Sequence, residues 1–199
     1  MTMTYSIFDN MDRCTPDEVQ RLLPLVPEAQ QAEAIRFKHT FGQYASLKSY
    51  LMLKELLIES QQVEPDDPLL FEYNPHGKPH LTAHPGIHFN ISHCPNAIAV
   101  AVDDAPIGVD VERFVEPSES LLNYCMNADE VNLVKNADHP ERQFAALWTR
   151  KEALFKLLGT GITHELRDIL ATPHPGIQLT TQLFVEKAFA FTLATTVTQ

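Results

Sequence analysis

The sequence predicts an α+β fold of two similar α+β halves related by a pseudo-twofold, each a long helix packed on a small, mainly antiparallel sheet. Three observations predict it. Two long stretches with helical periodicity, 43–58 and the segment between Asp138 and Gly159, are each followed by a block of short strand patterns. The tetrapeptide His-Pro-Gly-Ile leads into a hairpin pattern twice, at 84–87 and at 174–177. The repeated order of helix, loop, HPGI and hairpin is the signature of a duplicated unit. A division at 113/114 gives an N-terminal half, 1–113, and a C-terminal half, 114–199. The seam between two such halves is a typical place for a small-molecule site.

In chain order, Thr15 caps a first helix, Pro16 suits its first position and Glu18 completes a capping box. A second helix is expected over 28–38. The third, over 43–58, places Tyr44, Leu47, Leu51 and Leu57 on roughly one face. Pro65-Asp66-Asp67-Pro68 ends that region. Residues 87–91 alternate as a strand, 97–102 form a continuous apolar strand, and 107–112 a third, so an antiparallel meander is expected. Asp138 is the expected cap of the helix that carries Trp148, with Pro140 in its first turn and Gly159 as its stop. Two further strands, 178–185 and 188–195, close the chain.

Bulk properties narrow the function classes. With 199 residues the chain is long enough for a real core. Fifteen basic and 26 acidic side chains give a formal net charge of −11, which argues against non-specific nucleic-acid binding. No apolar run approaches the ~20 residues that cross a bilayer, and residues 1–13 show no signal-peptide pattern. Cys14, Cys94 and Cys125 form no paired spacing and read as free thiols. The expected setting is cytoplasmic, with no membrane partner, and two fused halves make a monomer the expected state.

The chemistry concentrates in two segments. In the strand at 107–112, Ile107, Val109 and Val111 face the core, so Gly108, Asp110 and Glu112 share the opposite face. Carboxylates at i and i+2 lie roughly 7 Å apart and repel unless something positive intervenes. The bland alternative is a solvated face of an edge strand. On the following long helix, Trp148, Glu152 and Lys156 line one stripe at i, i+4 and i+8. Three acids with Lys151 and Lys156 suit a divalent cation and a chain of phosphates. Mg²⁺ takes oxygen ligands, often one or two carboxylates plus substrate phosphates. By contrast, His76, His80, His84 and His88 do not make a zinc face, because Gly77, Pro79, Pro85 and Gly86 break the helix it would need.

Four motifs occur in order. They are Gly77-Lys78-Pro79, Phe89-Asn90-Ile91-Ser92-His93, Gly108-Val109-Asp110-Val111-Glu112, and Trp148-Thr149-Arg150-Lys151-Glu152-Ala153-Leu154-Phe155-Lys156. Together they resemble the 4′-phosphopantetheinyl transferase superfamily, in its two-half, pseudodimeric (surfactin-synthetase-activating) type. The resemblance implies Mg²⁺-dependent transfer of phosphopantetheine from coenzyme A to a serine of an acyl or peptidyl carrier protein. It implies Asp110, Glu112 and Glu152 as metal ligands, and Glu152 as acceptor of the serine proton. Lys151 and Lys156 would contact phosphate and leaving group, with Asp110, Glu152 and Lys156 forming the catalytic set. Lys78, Pro79, Ser92 and His93 would contact coenzyme A, His93 near its 3′-phosphate, with Ser46 and Lys48 as further contacts.

Glu130 is a weaker match to the family's aromatic-x5-Glu segment. Ala29-Gln30-Gln31-Ala32-Glu33 stand where some relatives place lysines, and Ala45 at another usually basic position; Arg36, Lys38 and Lys48 are the available replacements. The segment 114–126, with Phe114, Val115, Leu121, Leu122 and Tyr124, is the candidate carrier-docking region; the alternative is a helix packed on its own core.

Two alternatives stand beside the transferase. One is a non-catalytic coenzyme A or carrier-protein binding module; the other is a metal-dependent hydrolase of nucleotide pyrophosphates. Incubation with coenzyme A and an apo carrier, followed by weighing the carrier, separates all three.

Overall fold

The computed structural model describes residues 3–197. The continuous apolar run becomes β5 (Ala97–Asp103), a strand buried along its whole length. It pairs antiparallel with β4 (His88–Cys94) on one side and β1 (Thr4–Phe8) on the other. Its two faces serve different cores. Ile98, Val100 and Val102 pack with residues of α3 (Thr40–Glu59), including Tyr44, Leu47 and Leu53. Ala97, Ala99 and Ala101 face the opposite way, into a core that includes Ile107, Val109, Val111, Phe189 and Phe191. Period-2 alternation thus explains why the run needs apolar residues on both sides.

Two shorter helices precede α3: α1 (Pro16–Leu22) and α2 (Glu28–Ile35). Thr15 Oγ1 accepts the Glu18 N–H at 3.2 Å, as expected of a cap. The Glu18 carboxylate does not close the box, because it binds Arg13 and Arg21 at 2.8 Å each. A small hairpin of β2 (Phe71–Tyr73) and β3 (Pro79–Leu81) follows α3.

The second half repeats the plan. Its strands are β6 (Ile107–Arg113), β7 (Ile177–Phe184) and β8 (Phe189–Thr196), in the order β6-β8-β7. Its helices are α4 (Glu119–Cys125), α5 (Ala128–Lys135) and the long α6 (Pro140–Leu158). Matching the order β1-β5-β4 to β6-β8-β7 makes β1 the counterpart of β6 and α3 that of α6. The HPGI copies close similar turns before β4 and β7: Ile87 N–H binds His84 O at 3.0 Å, and Ile177 N–H binds His174 O at 3.1 Å. The α+β fold of two like halves is therefore observed.

Two local expectations are corrected. The strands at 88–94, 97–103 and 107–113 are not one meander. β6 leaves the first sheet and pairs with β8, since strand propensity sets no pairing partner. A division in the turn at 104–106 therefore follows the strand pairing more closely than 113/114 does. Asp138 is not the cap of α6. His139 occupies that position without a side-chain cap bond, and Glu141 pairs with His139 and Arg142. Gly159 does end α6, with φ of 69° in the left-handed region and its N–H on Phe155 O at 2.8 Å. Among the described residues no helix is long and apolar enough to cross a membrane.

Candidate active site

Gly108, Asp110 and Glu112 share one face of β6, and that face is turned to α6 rather than to solvent. An added Cβ at Gly108 would lie 2.0 Å from Ala153 O and 2.5 Å from Leu157 N. Strand and helix therefore touch backbone to backbone, a close approach that only glycine permits. The contact fixes the distance between the acids on β6 and the stripe Trp148, Glu152 and Lys156 on α6.

β4 borders β6 on the first-half side and is tied to it by side chains. Asn90 Oδ1 accepts the Val109 N–H at 2.8 Å, and Ser92 Oγ accepts the Val111 N–H at 3.3 Å. These bonds flank Asp110 and fix its direction. Asp110 is 3% exposed. Its Oδ1 accepts from Ser92 Oγ at 2.7 Å and from Lys156 Nζ at 2.6 Å. Its Oδ2 is buried with no hydrogen-bond partner among the described residues. An orphaned carboxylate oxygen in the interior is costly unless a cation or donor arrives.

The two neighbouring acids are held in crowded surroundings as well. Glu112 accepts the Trp148 indole N–H at 3.3 Å. Burial, helped by Asp110, pushes its carboxyl up to about 7. Burial and Asp110 also raise Glu152. Among the described residues no group of three or more acid, histidine or cysteine side chains is arranged to hold a metal ion by itself. The donors at hand are all oxygen, the chemistry a hard divalent cation takes when water and phosphate oxygens complete its shell.

A cleft leads away from these groups. One chamber, about 260 Å³, is lined by Asn90, Glu152, Phe155, Lys156, Lys78 and Gly161 among others. A second, about 210 Å³, is lined by Phe37, Ser46, Tyr50, Tyr73 and His93 among others. Pro79 and Ile91 line both, so the two chambers lie on either side of these residues. His93 stands edge-on to Phe41 with ring centroids 5.6 Å apart. Its crowded setting, together with the Lys156 charge, lowers its pKa, so the ring favours the neutral form.

Asp110, Glu112, Glu152, Lys156 and Ser92 thus come together, with Pro79, His93 and Ser46 along the adjoining cleft. Three expected contacts go elsewhere. Lys151 is fully buried, and its ammonium is taken by Glu130 at 2.7 Å, Leu166 O at 2.9 Å and Arg167 O at 2.7 Å. No donor remains for a phosphate, so that expectation is replaced by a structural ion pair. Glu130 also completes a capping box with Asn127 on α5, away from the acids. Lys48 lies over the Phe8 ring at 4.6 Å and lines neither chamber. Lys78 lines the cleft, but its Nζ is turned onto backbone carbonyls of β6 and α6. In the docking segment Leu122, Cys125 and Met126 are buried, whereas Val115, Leu121 and Tyr124 are exposed.

Asn90 acquired no role in the sequence reading, although its alternation with Ser92 put both on one face of a strand. Asn74, which binds Gly159 O at 3.1 Å, gave no sequence signal at all.

Comparison with known proteins bears on the same segments. The sequence model of the 4′-phosphopantetheinyl transferase superfamily matches residues 106–196. The chain is 31% identical over 162 residues to 4′-phosphopantetheinyl transferase psf-1 of Bacillus pumilus, covering 80% of this chain and 69% of that protein. It is 26% identical over 182 residues to 4′-phosphopantetheinyl transferase Sfp of Bacillus subtilis strain 168, covering 90% of this chain and 80% of that one. With 4′-phosphopantetheinyl transferase pptA of Paxillus involutus it shares 32% over 189 residues, 82% and 70% of the two chains. The two-half architecture, the acids of β6 facing α6 and these matches lead to one conclusion: the chain belongs to the 4′-phosphopantetheinyl transferase superfamily, in its two-half branch.

Proposed function

We propose that the protein transfers 4′-phosphopantetheine from coenzyme A to a serine hydroxyl of an acyl or peptidyl carrier protein, with Mg²⁺ held by Asp110, Glu112 and Glu152. The observation that carries this reading is the buried, unpartnered Asp110 Oδ2 beside two carboxyls with raised pKa, one of which, Glu152, lines a chamber together with Lys156. Mg²⁺ held there would supply the positive charge that the pyrophosphate and the leaving phosphate need.

The protein's own groups divide the remaining work. Lys156, with its ammonium already at the acids, swings to the phosphate oxygens as a charge-assisted donor. Ser92 supplies a hydroxyl beside it. The chamber with Tyr73, Pro79, Ser46 and His93 suits the adenosine end of the donor. Glu152, whose raised pKa brings it nearer neutrality, takes the serine proton, directly or through a water. The new bond joins the serine oxygen to phosphorus as the phosphorus–oxygen bond of the pyrophosphate breaks. The electron pair leaves with adenosine 3′,5′-bisphosphate. Both halves contribute to the cleft within one chain, so a monomer suffices.

The direct test is incubation with coenzyme A, Mg²⁺ and an apo carrier, followed by mass measurement of the carrier. Gain of one phosphopantetheine, lost with EDTA or with Asp110→Ala, is the expected result. Release of free phosphopantetheine with an unmodified carrier would instead mean a hydrolase. Coenzyme A binding with no product of either kind would mean a binding module.

A further inference from the structure

The loop between β2 and β3 belongs to the first half, yet four of its hydrogen bonds end on the second. Lys78 Nζ donates to Ile107 O at 3.2 Å, to Lys156 O at 2.5 Å and to Leu157 O at 3.3 Å. Asn74 Nδ2 donates to Gly159 O at 3.1 Å. The loop is itself braced. Asn74 Oδ1 accepts the N–H groups of His76 and Lys78 at 2.9 Å each, and Asn74 N–H binds Lys78 O at 3.0 Å.

The acceptors explain the geometry. The last carbonyls of a helix lack intrahelical donors and carry the negative end of its dipole. An ammonium has three donors, and here all three are engaged. Two go to the last turn of α6 and one to the first residue of β6. The bridge sits where the two elements already touch, next to Gly108. Lys156 is held at both ends as a result: its carbonyl by Lys78 and its side-chain nitrogen by Asp110 and Ser92.

We propose that Lys78 is a positioning residue, which clamps the C-terminal end of α6 to β6 and so sets Lys156 opposite Asp110, rather than a contact for the ligand. Its catalytic consequence rests on the transferase reading; the clamp itself does not. The first-half loop thereby sets the geometry of second-half chemistry. Small misplacements of a phosphate contact have large kinetic effects.

Two measurements test this, with Lys78→Met keeping the apolar stem and removing the ammonium. Hydrogen exchange needs no activity. Amides of residues 155–160 should exchange about tenfold faster in the variant, with α3 unchanged. Equal protection in variant and wild type overturns the clamp. The kinetic arm is a double-mutant cycle with Lys156→Ala. Lys78→Met should lower kcat about tenfold alone but less than about twofold in the Lys156→Ala background, with KM for coenzyme A little changed. Additive losses, or weakened coenzyme A binding with kcat retained, would assign Lys78 to the ligand and refute the proposal. If Lys78→Met does not fold, Asn74→Ala goes through the same measurements, and it should show a smaller acceleration confined to the same amides. An inactive wild type would sink the transferase reading while the exchange result still decides the clamp.

Discussion

Asp110 meets Lys156 through one oxygen only. Lys156 Nζ lies 2.6 Å from Oδ1, to which Ser92 also donates, while Oδ2 stays buried and unpartnered. The lysine balances the charge of one acid in a group of three. Burial first, and the Asp110 charge second, raise the carboxyl pKa values of Glu112 and Glu152.

That imbalance has a pH signature. Glu112 rises from its ordinary 4.5 to about 7 in the folded protein, chiefly through burial. A carboxyl raised in this way binds more protons folded than unfolded, so its contribution is complete below the unfolded value and lost as pH climbs through the folded one. Metal-free protein should therefore lose thermal stability between about pH 4.5 and 7. Glu112→Gln, which can still accept the Trp148 N–H, should flatten that slope. Mg²⁺ should raise Tm most above pH 7. Melting curves in EDTA and in Mg²⁺ at constant ionic strength decide it; a wild-type Tm independent of pH across this window would contradict the assignment.

Lys151 and Glu130 form an enclosed pair, with the lysine fully buried. Removing one partner strands the other. Lys151→Met should lower unfolding free energy in urea by about 3–5 kcal/mol, and adding Glu130→Gln should restore part of it. Transfer per folded molecule should stay within about twofold, since the side chain is remote from the ligand. A stable variant with lost turnover would return Lys151 to the phosphate site.

Gly108→Ala places a methyl group against the backbone of α6. Its φ lies outside the left-handed region, so the effect is steric alone. Overpacking of this kind costs about 1–3 kcal/mol. Because β6 and α6 must separate, transfer should fall by more than tenfold, roughly, even at temperatures where the variant is folded. Unchanged kinetics would show that strand–helix spacing does not set the site.

The carrier surface can be tested at Tyr124, which is 67% exposed, and at Leu121. Leu122 is unsuitable because it is 4% exposed and its replacement by Asp would unfold the segment. Tyr124→Asp with Leu121→Asp should raise KM for the carrier about tenfold while coenzyme A binding is kept. The net charge of −11 would oppose the approach of any acidic carrier at long range, and for such a carrier moderate salt should quicken encounter. Loss of both ligands, or of neither, would remove this patch from consideration.

Much of the site was legible because its spacing is local. Alternation put Asp110 and Glu112 on one face, and the four-residue step aligned Trp148, Glu152 and Lys156. Lys151 was misread because its partners, Glu130 and the carbonyls of Leu166 and Arg167, lie in other segments and leave no mark on the helix pattern. The same holds for Lys78, whose acceptors are on β6 and α6. Gly77-Lys78-Pro79 looks like a turn offering a cation to a ligand; only the folded chain shows that carbonyls take it. β6 likewise reads as a strand from its own residues, but its choice of β8 over β4 depends on packing between the halves.

Ala97, Ala99 and Ala101 give β5 almost no side-chain height on the face toward β6 and β8. The first half therefore offers a low row of methyl groups, and the second half fills the space above it with Ile107, Val109, Val111 and Phe191. A chain cut between them would expose Ile107, Val109, Val111 and Phe191 on one side and a bare alanine row on the other. The strand that carries Ser92 and His93 and the strand that carries Asp110 and Glu112 consequently border one shared core. Separating the halves would draw Ser92 away from Asp110 and leave the acids of β6 without the strand that flanks them.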